Sequence, residues 1–189
     1  MLILASGSPR RKEILSMLGY RFRSVPADTD ESIAEGTPPS KAVEQLSARK
    51  AEAVFRICPE DVVLGSDTVV YCGGKILGKP RTPEEAAEML HFLSGRKHQV
   101  YTGVTVMDKF RKETWSVMSE VKFLSLSESE IDAYVKTGEP MDKAGAYAVQ
   151  GKGSALIDSV AGDFFAIMGL PSSSTVRMLK QFGIELNFV

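Results

Sequence analysis

The sequence predicts an α/β protein, and three observations carry the prediction. The chain opens on a short apolar strand that empties through a small-residue loop into a helix. Apolar runs of strand length then alternate with segments of helical period, and Gly, Pro or a Ser/Thr cap marks the changes between them.

The elements follow in order. Leu2-Ile3-Leu4-Ala5 is the opening strand, Ser6-Gly7-Ser8 the loop, and Pro9 stands at the first helical position, where its missing N–H costs nothing. Residues 9–18 read as a helix with Ile14, Leu15 and Leu18 on one face and Gly19 as its stop. A strand is expected over 20–25. Residues 26–39 carry Asp28, Asp30, Glu31 and Glu35 with few apolar neighbours, so they form an acidic loop. Thr37 is placed to cap a helix over 38–56 whose buried stripe is Ala42, Val43, Leu46, Ala53 and Val54, with Lys41, Arg49 and Lys50 along it.

In Val62-Val63-Leu64-Gly65-Ser66-Asp67-Thr68-Val69-Val70, two β-branched runs flank a polar island too short for a surface loop, which predicts a half-buried Asp67. A hairpin at Gly73-Gly74 leads through Ile76-Leu77 to Gly78-Lys79-Pro80. Thr82, Pro83, Glu84 and Glu85 then start a helix that stops at Ser94-Gly95. Strands over 99–107 and 113–124 suggest an antiparallel ribbon, and Ser127 with Glu130 forms a capping box for a short helix. Residues 139–153 are a polar, glycine-punctuated stretch of the kind that carries sites. Strands are read over 155–160 and 164–168, and a last helix over 172–182 closes at Gly183.

Composition narrows the function. The chain has 189 residues and a formal net charge of -1, enough for one compact domain over 1–189 and without the basic excess of a nucleic-acid binder. No stretch has the apolar length of a membrane span and the start lacks a signal-peptide pattern, so a cytoplasmic protein with a small substrate is expected. Cys58 and Cys72 are too few for a disulfide framework and read as reduced bystanders, and His91 and His98 as surface or helix-end residues.

The opening turn is the first candidate site. A turn of this kind aims backbone N–H groups at one point, Ser6 and Ser8 add hydroxyl donors, and Arg10 or Arg11 adds a planar fork suited to phosphate oxygens. Cations there oppose the helix dipole, which a bound anion would offset. Phosphate beside the acids of Asp30-Glu31 and Asp67 requires a bridging divalent cation, so a hard oxygen site is expected. Asp67 would bind that cation or take a proton from the attacking water; the residues leave both open. Lys50, Lys79, Lys143 and Arg11 are available as charge clamps. Taken singly, Asp67-Thr68 also reads as a buried hydrogen-bonded turn, Glu31 as a solvated acid and Lys50 as an exposed helix residue. The residues alone reach a phosphate-handling α/β protein.

Ser6-Gly7-Ser8-Pro9-Arg10-Arg11, Gly65-Ser66-Asp67-Thr68, Gly78-Lys79-Pro80, Leu93-Ser94-Gly95, Asp142-Lys143-Ala144-Gly145 and Gly169-Leu170-Pro171, in this order, resemble the Maf family of nucleoside triphosphate pyrophosphatases. The resemblance implies an elongated mixed sheet flanked by helices, of the inosine-triphosphatase type, with two lobes around a cleft. It also implies a cytoplasmic homodimer that cleaves a nucleoside triphosphate to monophosphate and pyrophosphate with Mg2+ or Mn2+. Asp67 is implied as proton acceptor, and Arg10, Glu31, Lys50 and Lys79 as phosphate and metal contacts, with Glu31 and Asp67 at the metal. Glu120 is a further implied acid.

The run 142–150 resembles the branch acting on dTTP and UTP, in which Arg11, Thr68 and Gln150 are implied to set specificity. A glutamine amide matches O4 and N3–H of uracil or thymine, provided that Arg11 or Thr68 fixes its orientation against cytosine, while purines are excluded by size. The resemblance carries two other functions: a nucleotide-binding regulator of septum formation that needs no turnover, and a pyrophosphatase for inosine or xanthosine triphosphate. Departures from the family pattern are Ser66 where alanine is usual, Ala148-Val149 before the glutamine, and Phe164-Phe165-Ala166.

Overall fold

Strands and helices assemble as their periods require, in a computed structural model that describes residues 1–186. The elements are β1 (Leu2–Leu4), α1 (Pro9–Met17), β2 (Phe22–Ser24), α2 (Pro39–Phe55), β3 (Val62–Cys72), β4 (Lys75–Leu77), α3 (Pro83–Leu93), β5 (Lys97–Met107), β6 (Lys112–Phe123), α4 (Glu128–Val135), β7 (Ile157–Ala161), α5 (Phe164–Met168) and α6 (Ser172–Gln181). Short 3-10 turns lie at Glu139–Asp142, Ala144–Ala146 and Lys152–Leu156. The seven-stranded sheet runs β2-β1-β3-β5-β6-β7, with β4 added to β3. It is mixed, since β1 is parallel to β2 and β3, whereas β4 is antiparallel to β3 and β7 to β6. Among the described residues no helix is long and apolar enough to cross a membrane.

The chain divides into two compact units, Met1–Asp67 with Thr102–Val117 and Gly169–Val189, and Thr68–Tyr101 with Met118–Met168. In the first, Ile3, Ala5, Ala51, Val54, Cys58 and Val63 form a core against which Val25, Phe55 and Met107 pack. Two glycines set how closely α2 approaches the strands beneath it. A Cβ on Gly65 would sit 2.4 Å from the Ser47 carbonyl oxygen, and one on Gly103 would sit 2.2 Å from that of Val43. Both are backbone collisions, so the helix lies where only hydrogen atoms fit beneath it.

Thr37 does not cap α2; its hydroxyl donates to the Ala34 carbonyl at 2.7 Å. Pro38 precedes Pro39 and is thereby kept out of the helical region, so it becomes the N-cap and Thr37 falls one residue too early. The buried face of α2 is Ala42, Val43, Leu46, Ser47, Lys50, Ala51 and Val54, while the expected Ala53 is only half-buried. Lys50 is therefore on the core side of the helix. The polar island at 66–68 does not interrupt β3, which runs unbroken from Val62 to Cys72.

In the second unit, Thr82 accepts from the Glu85 N–H at 3.2 Å to cap α3, and Ser127 with Glu130 forms the expected capping box on α4. Phe164–Met168, read above as a strand, is the helix α5. The Asp163 carboxylate accepts from the Ala166 N–H at 3.0 Å, and this cap outweighs the strand preference of two consecutive phenylalanines.

His98 also departs from expectation, because it is 2% exposed and not a surface residue. Its Nε2 lies 2.8 Å from the Tyr147 hydroxyl, and its ring packs edge-on against Phe123 and Tyr147. Burial, opposed by the charge of Glu120, pushes its pKa down to about 4 from 6.5. Between these values the unfolded chain binds the proton more readily than the native one, so stability falls as pH drops through the window. The expected loss is roughly 3 kcal/mol from pH 6.5 to 4. Thermal melts across that range should show this slope in the wild type and a flatter one in His98→Phe.

Candidate active site

The first unit builds a charged cluster from four separate stretches of chain, at 10–11, 30–31, 49–50 and 67. β1 extends past its last residue as the Ala5 N–H donates to the Leu64 carbonyl at 2.8 Å, which holds the Ser6 turn at the end of the strand. Ser6 is buried; its carbonyl accepts from the Ser24 hydroxyl at 2.7 Å, and its own hydroxyl oxygen accepts from the Ser8 N–H at 3.2 Å. Ser8 is the N-cap of α1, Pro9 follows at the first helical position, and the first turn carries no acid. Arg10 and Arg11 lie half-buried on that turn.

Arg11 is fixed from two sides. Its Nε donates to the Gly169 carbonyl at 2.9 Å and one terminal nitrogen to the Ser6 hydroxyl oxygen at 3.1 Å. The same Gly169 carbonyl accepts from the Ser66 hydroxyl at 2.8 Å, which is also 3.0 Å from the Gly103 carbonyl. Ser66, which stands where alanine is usual in the family the chain resembles, therefore holds the acceptor that orients Arg11. Burial lowers the Arg11 pKa, opposed by the charge of Asp67, with Arg10 lowering it further and Glu31 raising it. The two carboxylates are thus close enough to act on the guanidinium.

At the centre lies Lys50. Its Nζ is 2.5 Å from Asp67 Oδ1 and 2.6 Å from Glu31 Oε1, so one ammonium joins both predicted acids. Asp67 is 8% and Lys50 9% exposed, more deeply buried than the half-buried position expected for Asp67. The close seating of α2 over Gly65 and Gly103 is what brings Lys50 to this depth. Glu31 comes from the exposed acidic loop, and Arg49, beside Lys50 on α2, holds that loop in place. One Arg49 guanidinium nitrogen donates to the carbonyls of Asp30 at 3.1 Å and Ser32 at 2.7 Å, the residues on either side of Glu31. The Asp30 carboxylate accepts from the N–H and hydroxyl of Ser32, which tightens the same turn.

Sequence reasoning noted Arg49 only as a residue of the helix and missed its role. Its target is main-chain carbonyls, which leave no residue pattern to pair with it. The role of Ser66 was missed for the same reason.

Thr68, Lys79 and Gln150 belong to the second unit. Thr68 is half-buried in β3, and Lys79 and Gln150 are exposed on the segments after β4 and after the Ala144–Ala146 turn. Gly145 joins these segments. Its N–H donates to the Gly78 carbonyl at 3.0 Å, and a Cβ on it would lie 2.8 Å from a Val70 methyl. Lys143 pairs with Asp142. Glu120 pairs with Lys97 at 2.8 Å within the second unit. Cys58 and Cys72 are free thiols, as expected.

The donor set suits a hard divalent cation. Two carboxylates from different segments converge on one positive centre, which is what a Mg2+ or Mn2+ ion completed by phosphate oxygens requires. Among the described residues no group of three or more His, Cys, Asp or Glu side chains is clustered for metal, so any such ion would take its remaining ligands from substrate and water.

Comparison with known proteins agrees with this architecture. The family model described as "Maf-like protein" matches residues 1–182. The dTTP/UTP pyrophosphatase of Bacillus pumilus (strain SAFR-032) is 48% identical over 183 residues, covering 97% of each chain, and that of Bacillus cereus (strain AH820) is 47% identical over 185 residues, covering 98% of this chain and 97% of its own. The solved structure of the Staphylococcus aureus Ham1 protein covers 96% of both chains with a TM-score of 0.50 at 11% identity, a likeness of fold. A family match from the first strand into the residue after α6, with relatives near half identity over almost the full length, means that the chain belongs to the Maf family.

Proposed function

We propose that this protein is a nucleoside triphosphate pyrophosphatase acting on dTTP and UTP, with water attacking the α-phosphorus and pyrophosphate leaving. The observation that carries the reading is the double grip of Lys50 on Asp67 and Glu31 beside the Ser6-to-Arg11 turn. Relatives that share about half its residues bear the name of that activity. In this reading Ser8, Arg10 and Arg11 bind the phosphates, with Lys50 and Lys79 as further charge clamps. Asp67 Oδ2, the oxygen Lys50 does not hold, takes the proton from the attacking water. Arg11, Thr68 and Gln150 are the residues to which this reading assigns the choice of base.

Glu31 and Asp67 would hold the divalent cation, Mg2+ or Mn2+, which supplies charge neutralisation on the phosphates when bound. When substrate arrives, Lys50 is free to exchange its carboxylate partners for phosphate oxygens, since all are anionic acceptors for the same ammonium. The proposal extends to a cytoplasmic homodimer on the strength of the family resemblance, and to a free nucleotide in place of nucleic acid on the balanced charge.

Purified protein with Mg2+ or Mn2+ should release pyrophosphate and the nucleoside monophosphate from UTP and dTTP. Orthophosphate as the primary product, or no hydrolysis of either nucleotide, would refute the proposal.

A further inference from the structure

Gln150 is exposed and lies on a segment without long regular structure, yet a specificity amide must be held in one place to tell one base edge from another. The second unit supplies the means. Glu139 Oε1 accepts from the Lys152 N–H at 3.0 Å, and Oε2 accepts from the Gly153 N–H at 2.9 Å and from the Tyr134 hydroxyl at 2.8 Å. The Tyr134 oxygen in turn accepts from the Ala148 N–H at 3.1 Å. The backbone is therefore gripped two residues before Gln150 and again two and three residues after it. Glycine makes the grip possible. A Cβ on Gly151 would lie 2.1 Å from Glu139 Oε1, and one on Gly153 would lie 2.6 Å from both the Ala148 carbonyl oxygen and the Tyr134 hydroxyl.

The charge state suits the task. Burial raises the Glu139 pKa, but the Gly153 N–H, the Tyr134 hydroxyl, the Lys152 N–H and the charge of Lys143 together bring it below the ordinary value, so the group is an anion accepting three donors. Burial and the bond to Glu139 push the Tyr134 hydroxyl well above its usual range, which keeps it protonated as a donor.

We propose that Glu139, with Tyr134 as its partner, is a specificity-positioning residue that fixes the 148–153 loop and so the direction of the Gln150 amide. This rests on the pyrimidine reading above and assigns that reading a residue outside the substrate contacts. The test measures pyrophosphate release from UTP, dTTP and CTP for wild type, Glu139→Ala, Glu139→Gln, Tyr134→Phe, Gln150→Ala and the Glu139→Ala/Gln150→Ala double variant, with a melting curve for each.

Loss of a charge-assisted acceptor for three donors should raise KM for UTP and dTTP about ten-fold and lower the UTP-over-CTP preference by a similar factor, with kcat within about three-fold. Tyr134→Phe, which removes one bond and keeps the ring, should shift both quantities in the same direction by about three-fold. Glu139→Gln should restore part of the preference. In the Gln150→Ala background, Glu139→Ala should cause no further loss of preference, because the group it positions is gone.

Wild-type preference in folded Glu139→Ala or Tyr134→Phe, or an equal loss with and without Gln150, would overturn the inference. If Glu139→Ala does not fold, Tyr134→Phe and Glu139→Gln decide it. A wild type inactive on UTP and dTTP would instead remove the pyrimidine reading itself, and this inference with it.

Discussion

Asp67→Asn should reduce pyrophosphate release by about 1,000-fold or more while leaving nucleotide binding measurable. The carboxylate is buried, 8% exposed, and stands on β3 immediately before Thr68. An amide keeps its size and still accepts from Lys50, so the fold and the cationic turn at Ser6 to Arg11 persist. What disappears is the carboxylate to which the proposed mechanism gives the proton and one ligand position on the cation. Steady-state pyrophosphate assays paired with calorimetric titration of a nonhydrolysable uridine nucleotide separate these effects. Full turnover in the variant would take Asp67 out of the mechanism.

Lys50→Met should have the second-largest effect, and on two observables at once. The methionine follows the same path as the lysine stem but leaves a buried carboxylate without the ammonium that bonded it. Glu31 is 59% exposed and relaxes into solvent, so the stability cost comes chiefly from Asp67 and is about 2 kcal/mol at neutral pH. Turnover should fall about 100-fold or more with the loss of a phosphate clamp. Millimolar Mg2+ should raise the melting temperature of the variant more than that of the wild type, because the ion supplies the missing positive charge. Equal Mg2+ responses would show that Asp67 and Glu31 do not form a cation site.

The signals that sequence carried best were those with a local cause. The Thr82 cap, the Ser127 and Glu130 box, the Gly73-Gly74 hairpin and the strand-to-helix turn at Pro9 each depend on residues within a few positions of one another. Thr37 and Phe164–Met168 were misread where one local rule displaced another, proline sterics in the first case and an Asp163 cap in the second.

His98 was misplaced for a different reason. Its partner is Tyr147, and nothing near His98 in the chain announces an aromatic cluster assembled from 49 residues away. At the site, Asp67, Glu31 and Lys50 were legible, and so was the pairing of the two acids; that the Lys50 ammonium bonds both was not. Lys50 reaches Asp67 only because helix α2 lies almost on the backbone of two strands, a fact written in two glycines that a one-dimensional reading cannot distinguish from turn residues.

The hold of Arg49 on the acidic loop fixes Glu31 without a residue pattern around it. Arg49 recognises the carbonyl oxygens of the residues flanking Glu31, and every amino acid provides one. What Arg49 reads is thus the path of the main chain, while the Asp30 and Ser32 side chains add their own bond across the same turn. An acid anchored in this way carries little signature of its own, and substitutions beside it should be tolerated where they keep the turn that Asp30 and Ser32 close.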